Sequence, residues 1–310
     1  MPNVFRWDIA RREQLGRLVT GEPGERLPSI LEEVRRCAAR VIAMAGDSQL
    51  VFVGRSPEAL FDYLTGAFAG TSWADRMTLL HLSLKGSSQR WAEMTATTHS
   101  ALRQQFGALG LNPAAIVAGA RPIAFVDVIC DGDTFASLTH LLFDWAQEEG
   151  VGTTALRRRV RIVGIITRGN RGYTTTGWQR HAWARGYRPG ALKGVPVSES
   201  FWAFLGNSDA KVARSNPPWR WCDPEMARPP RGPRHTEALD LALALHEAAR
   251  SRSERDALAA AIAEHLSTRE VWCRVLTSEL RTASRPKRVE RLFSSKRRVR
   301  SWRQRGCSTH

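Results

Sequence analysis

Residues 123–138 read IAFVDVICDGDTFASL, and the way this stretch divides decides the fold. Residues 123–129 form an apolar run broken only by Asp127, with the length and the Val/Ile/Phe content of a buried strand. Cys130-Asp131-Gly132-Asp133-Thr134 follows as a turn, and a helical pattern over residues 134–149 begins at once. Three more apolar runs of the same kind lie at Gln49–Val53, residues 77–84 and Val160–Thr167, separated by helical patterns over residues 57–69 and 88–109. Near-continuous apolar strands alternating with helices predict an α/β fold with a parallel sheet covered on both faces.

Outside this core the pattern changes. Residues 1–40 carry a short strand-like stretch, VFRWDI, and a charged helix over residues 29–40, and form an N-terminal segment or hood before a core of residues 41–170. Residues 171–233 are rich in Trp, Pro and Gly and read as loop or cap, with a short helix near residues 197–205. Residues 234–283 read as a helical extension with breaks near residues 251–253 and 267–268. Residues 284–310 are a basic tail, expected to be disordered.

The composition is that of a globular protein, 43% hydrophobic and 25% charged, and no apolar stretch reaches the ~18 residues of a membrane span. The first residues have no apolar core of a secretory signal, and the five cysteines form no CxxC pair; reduced thiols in a cytoplasm are the expectation. Residues 281–310 hold eleven Lys/Arg against Glu290 alone, which places +10 of the net +16 there. High overall charge is therefore weak evidence for nucleic-acid binding by the core. Non-specific contact through residues 284–310 is the partner reading the tail allows.

The turn after Asp127 suits an anion. A helix N-terminus presents backbone N–H groups and partial positive charge, Gly132 allows close backbone approach, and the Thr134 hydroxyl adds a donor. Asp127 is placed to accept from vicinal hydroxyls. A second strand–turn–helix, LVFVGRSPEAL at residues 50–60, offers Gly54, Arg55 and Ser56 in its turn, with Ser56 as cap and Pro57 in the first helical turn.

Together these segments resemble the type I phosphoribosyltransferase family, in which an apolar strand runs into two acids and a small Thr/Gly-rich loop. The resemblance spans about residues 41–170. It implies a Rossmann-like core that binds phosphoribosyl diphosphate (PRPP) with Mg²⁺ and transfers the phosphoribosyl group to an acceptor not identified by the sequence. Asp127 falls on the second acid and acts on Mg²⁺ only indirectly, and Val126 stands where the first acid is found. Residues Asp131, Gly132, Asp133 and Thr134 fall on the 5′-phosphate loop. Gly54, Arg55 and Ser56 fall on the pyrophosphate loop, and Lys85 falls where a mobile catalytic loop is found. Asp127 and Arg55 are the catalytic candidates; the oligomeric state is left open, a homodimer among the options.

Other readings stay open. The turn also reads as a plain helix start, since Asp131, Asp133 and Thr134 are good N-cap residues. A non-catalytic ribose-phosphate binder or a nucleic-acid-associated protein using the tail is the alternative. Asp131-Gly132-Asp133-Thr134 also resembles the nucleophile motif of haloacid-dehalogenase phosphatases, with Phe135 at the Thr/Val place. Trp178, Trp183, Trp202, Trp219 and Trp221 are packing residues or stacking surfaces, and Lys211 and Arg214 are candidate contacts to an acidic or phosphorylated acceptor. His246-Glu247 is not followed by a second histidine at Arg250, so no zinc motif arises.

Overall fold

A computed structural model of the chain describes residues 6–19, 27–84, 94–168, 177–207, 211–215, 217, 228, 230–265 and 270–283. In chain order its elements are α1 (Arg12–Leu15), α2 (Leu27–Ala45), β1 (Gln49–Val53), α3 (Glu58–Ala67), β2 (Met77–Leu80), α4 (Ala96–Ala108), α5 (Pro113–Ala118), β3 (Ile123–Val128), α6 (Asp133–Glu148), α7 (Thr153–Arg159), β4 (Val160–Thr167), β5 (Leu192–Val197), α8 (Glu199–Gly206), α9 (Pro233–Ala249), α10 (Arg252–His265) and α11 (Val271–Thr282). The strands form one parallel sheet in the order β2-β1-β3-β4-β5. This is a Rossmann-like α/β architecture with a helical C-terminal region.

The period-two alternation of the strands sorts their side chains into two cores. Leu50, Phe52, Ala124, Val126, Val163 and Ile165 face one layer, with α2, α3, α8, α10 and α11. Val51, Val53, Ile123, Phe125, Ile162 and Ile166 face the other, with α4 to α7. Leu50, Val51, Phe52 and Val53 are wholly buried, each worth about 1.5–3 kcal/mol by removal from water. A strand buried on both faces must read as a continuous apolar run, which is why β1, β3 and β4 stand out in the sequence.

Several expectations need correction. No strand forms over the described part of VFRWDI, residues 6–9. The second strand ends at Leu80 rather than residue 84. Ser56 does not cap α3: Pro57 is the N-cap, without a side-chain bond, and the turn closes through the Glu58 N–H on the Arg55 carbonyl at 3.2 Å. The stretch read as loop contains a strand, β5, whose sequence LKGVPV hides it behind Gly194 and Pro196. Proline is tolerated there because β5 is an edge strand, where a missing N–H removes no ladder bond. The short helix is present as α8, capped by the Ser198 hydroxyl, which accepts from the Phe201 N–H at 3.2 Å. Among the described residues no helix is long and apolar enough to cross a membrane.

Candidate functional site

The strand order reverses between β1 and β3. The chain leaves β1 through α3 toward one face and leaves β3 through α6 toward the other, so the two loops part at the carboxyl edge and leave a crevice, the usual ligand position in such sheets. A cleft of about 410 Å³ lies here. It is lined by Ser56, by residues 127–135, and by Trp202, Ala203, Gly206 and Asn207 of the α8 region. Six sequence candidates (Asp127, Asp131, Gly132, Asp133, Thr134 and Ser56) thus share one cavity. Gly54 and Arg55 belong to the same turn as Ser56 but are not among its lining residues, and Lys85 lies outside the described residues.

The loop after β3 is built for close backbone approach. The Ile129 N–H still joins the ladder, donating to the Ile165 carbonyl at 2.8 Å. Gly164, opposite Asp127 in register, leaves room for the Ile129 side chain: a Cβ on Gly164 would stand 2.1 Å from Ile129 Cδ1. Gly132 has φ +94°, where an L side chain is strained, and an aromatic block of Trp178 and Trp183 packs behind it. The sixteen-residue α6 starts directly after, with no side-chain cap at Gly132; Asp131 Oδ1 accepts only the Asp133 N–H, at 3.3 Å. Thr134 and Phe135 of that uncapped first turn line the cleft.

Asp127 sits at the base of the cleft, 6% exposed. Its carboxylate accepts the Val128 N–H at 2.7 Å and the Thr134 hydroxyl. Thr134 therefore spends its proton on Asp127 in this arrangement. Burial pushes Asp127 up to about 7, with the Val128 and Thr134 bonds and the charge of Lys211 pulling the other way. Val126 points into the apolar layer beside Phe52 and Val163, so an acid there would be buried without a partner.

The cations are arranged differently from the sequence expectation. Arg55 turns away to the Ala213 carbonyl, Nη1 to O at 3.5 Å, and burial lowers its pKa against the pull of Glu58. Lys211, from the stretch after α8, is buried behind the cleft lining and meets the backbone of the Ser56 loop instead. Its Nζ donates to the Leu205 carbonyl at 2.7 Å and reaches the Ser56 carbonyl at 3.5 Å. Nothing in local sequence periodicity marks this, because residue 211 meets residue 56 only through the tertiary fold. Beside them lie Glu58, Asp62 and Arg6. Asp62 pairs with Arg6 at 2.5 Å and is pushed up to about 7, first by burial. His81 follows β2 and is pulled down to about 4 by burial and by Arg6.

Among the described residues no three His, Cys, Asp or Glu side chains are grouped to hold a metal ion. Asp131 and Asp133 nonetheless offer carboxylate oxygens along the cleft. Mg²⁺ takes one or two carboxylates with waters and substrate phosphates, so this donor set fits Mg²⁺ arriving with a phosphorylated ligand. Comparison with protein-family models, curated proteins and solved structures finds no match.

Proposed function

We propose that the chain binds PRPP with Mg²⁺ in this cleft and transfers the phosphoribosyl group to an acceptor nucleophile. One observation carries the reading: a helix start whose N-cap is glycine, with φ positive, and a buried carboxylate share one cavity at the point where the strand order reverses. Residues 131–134 receive the 5′-phosphate through backbone N–H groups. Asp127, at the base, accepts from the ribose hydroxyls, alone because Val126 belongs to the apolar layer. The loop carrying Ser56 faces the diphosphate.

In the reaction the bond from C1 to the diphosphate oxygen breaks, the nucleophile bonds to C1, and its proton leaves to solvent. Mg²⁺ would arrive with the phosphorylated ligand, with the Asp131 and Asp133 carboxylates able to hold it, and would supply positive charge against that of the leaving group. The chain's own residues position the ribose and stabilise the charge that shifts during transfer. The setting in this reading is the cytoplasm, consistent with the free thiols of Cys37, Cys130 and Cys273. Residues 284–310 lie outside the described residues; their non-specific binding of nucleic acid is a separate part of the proposal.

Thermal unfolding with PRPP and Mg²⁺, ribose 5-phosphate or pyrophosphate tests it. At 100 times the dissociation constant a ligand adds about 2.7 kcal/mol, which shifts the midpoint by several degrees. The expected result is a shift with PRPP that Asp127→Asn loses. No shift with any of the three, or one that survives in Asp127→Asn, overturns the reading.

A further inference from the structure

We propose that Lys211 is the positioning cation of the diphosphate side of this cleft, holding the loop after β1 against the C-terminal end of α8 and placing its ammonium beneath the bound diphosphate; this rests on the PRPP reading above. Lys211 is 3% exposed. An ammonium has three donors. One goes to the Leu205 carbonyl at 2.7 Å, one reaches the Ser56 carbonyl at the outer limit of hydrogen-bond length, and the third has no partner among the described residues. Ser56 and Gly206, next to Leu205, both line the cleft, so one ammonium just behind the lining ties together the two segments that carry them.

The segment bearing Lys211 cannot easily swing away. The Val212 N–H donates to Glu58 Oε2 at 3.0 Å, Arg55 reaches the Ala213 carbonyl at 3.5 Å, and the Lys211 carbonyl meets His235 Nδ1 at 2.9 Å. Val212 and Ala213 are themselves buried.

Among the described residues no carboxylate forms an ion pair with Nζ; Glu58, Asp127 and Asp62 act on it only through longer-range attraction. A buried ammonium resting on neutral carbonyls is an incomplete arrangement, since burying charge without a contact counter-ion is costly. A diphosphate seated against the Ser56 loop supplies the missing anion. The 5′-phosphate, by contrast, is assigned to the backbone of residues 131–134, to which Lys211 makes no hydrogen bond.

That separation makes the inference testable apart from the reading it rests on. Affinities for PRPP, inorganic pyrophosphate and ribose 5-phosphate, each with Mg²⁺, are measured by calorimetry on wild type, Lys211→Met and Lys211→Arg. Lys211→Met is expected to weaken PRPP and pyrophosphate by about 10- to 100-fold, the range for a hydrogen bond to a charged group, and to leave ribose 5-phosphate unchanged. Lys211→Arg recovers part of the loss. If Lys211→Met weakens all three ligands equally, or none, the inference falls while the PRPP reading stands. If wild type binds none of the three, both fall. Should Lys211→Met fail to fold, Lys211→Gln keeps a donor toward Leu205 without the charge, and the same ratio of pyrophosphate to ribose 5-phosphate affinity decides.

Discussion

Glu254 and Asp127 are both buried acids, yet their surroundings differ in kind. On α10, both oxygens of Glu254 accept from Arg35 Nη1, at 3.1 and 2.9 Å, and Oε1 also accepts the Tyr63 hydroxyl at 2.9 Å. Three helices, α2, α3 and α10, are thereby fastened on one acid. Asp127 accepts from Val128 and from Thr134 at the start of α6, and among the described residues no arginine pairs with it. Around it the spare capacity continues: Glu58 Oε1, Asp62 Oδ1 and His81 Nδ1 are buried with no partner among the described residues. Both oxygens of Glu254 are thus engaged by other helices, whereas Glu58, Asp62 and His81 each keep a buried polar atom without a partner among the described residues. Such under-satisfied groups oppose stability and suit a ligand.

Breaking the saturated region has the largest expected effect. Glu254→Ala leaves Arg35 and the Tyr63 hydroxyl unpaired and is expected to cost about 3 kcal/mol in urea unfolding, in the range for breaking a buried pair. The shift that PRPP adds to the variant's own midpoint should persist; its loss would erase the distinction between the two regions.

The second change runs the other way. Burial raises Asp127 to about 7, so the folded chain holds a proton that the unfolded chain releases above about 4. The stability this proton contributes is complete below about 4 and is lost as pH rises through about 7. Asparagine carries no such charge. Asp127→Asn is therefore expected to exceed wild type by about 1–3 kcal/mol at pH 8 and to show no such gain at pH 4, while losing ligand binding. A variant less stable than wild type at pH 8 would place Asp127 with the structural acids.

The smallest effect is expected at Arg12, which meets Glu247 at 2.7 Å with both side chains about half exposed or more. Arg12→Ala should change stability by less than about 0.5 kcal/mol, because solvent screens such pairs. A larger loss in urea unfolding would mean that surface pairs, too, fasten the helices.

Much of the fold was legible because burial on two faces writes itself as apolar runs: β1 and β4 match the runs at residues 49–53 and 160–167, and α9, α10 and α11 follow the breaks seen near residues 251 and 267. β5 escaped because Gly194 and Pro196 interrupt its run, and α5 and α7 because six and seven residues are too few for a helical period to show. For the site, the loop after β3 was readable since turn, cap and strand end are neighbours in sequence. The direction of Arg55 was not, and Lys211 stood out only as a contact to an acceptor and not as a partner of Ser56, because both depend on the stretch after α8 folding back against residues 55–58. His81, Asp62 and Arg6 escaped for the same reason, as three separate segments that only packing joins.

The tie between the Lys211 carbonyl and His235, at the start of α9, bears on how the protein is made. Helix α9 lies against α3 so closely that a Cβ on Gly66 would stand 2.1 Å from the His246 carbonyl oxygen. During synthesis the turn at residues 129–134 leaves the ribosome long before this helix does. On the proposed reading, the turn at residues 129–134 is thus made before the lysine of the diphosphate side, and the contacts that fasten Lys211, to Ser56, Leu205 and His235, are complete only once the start of α9 has been made.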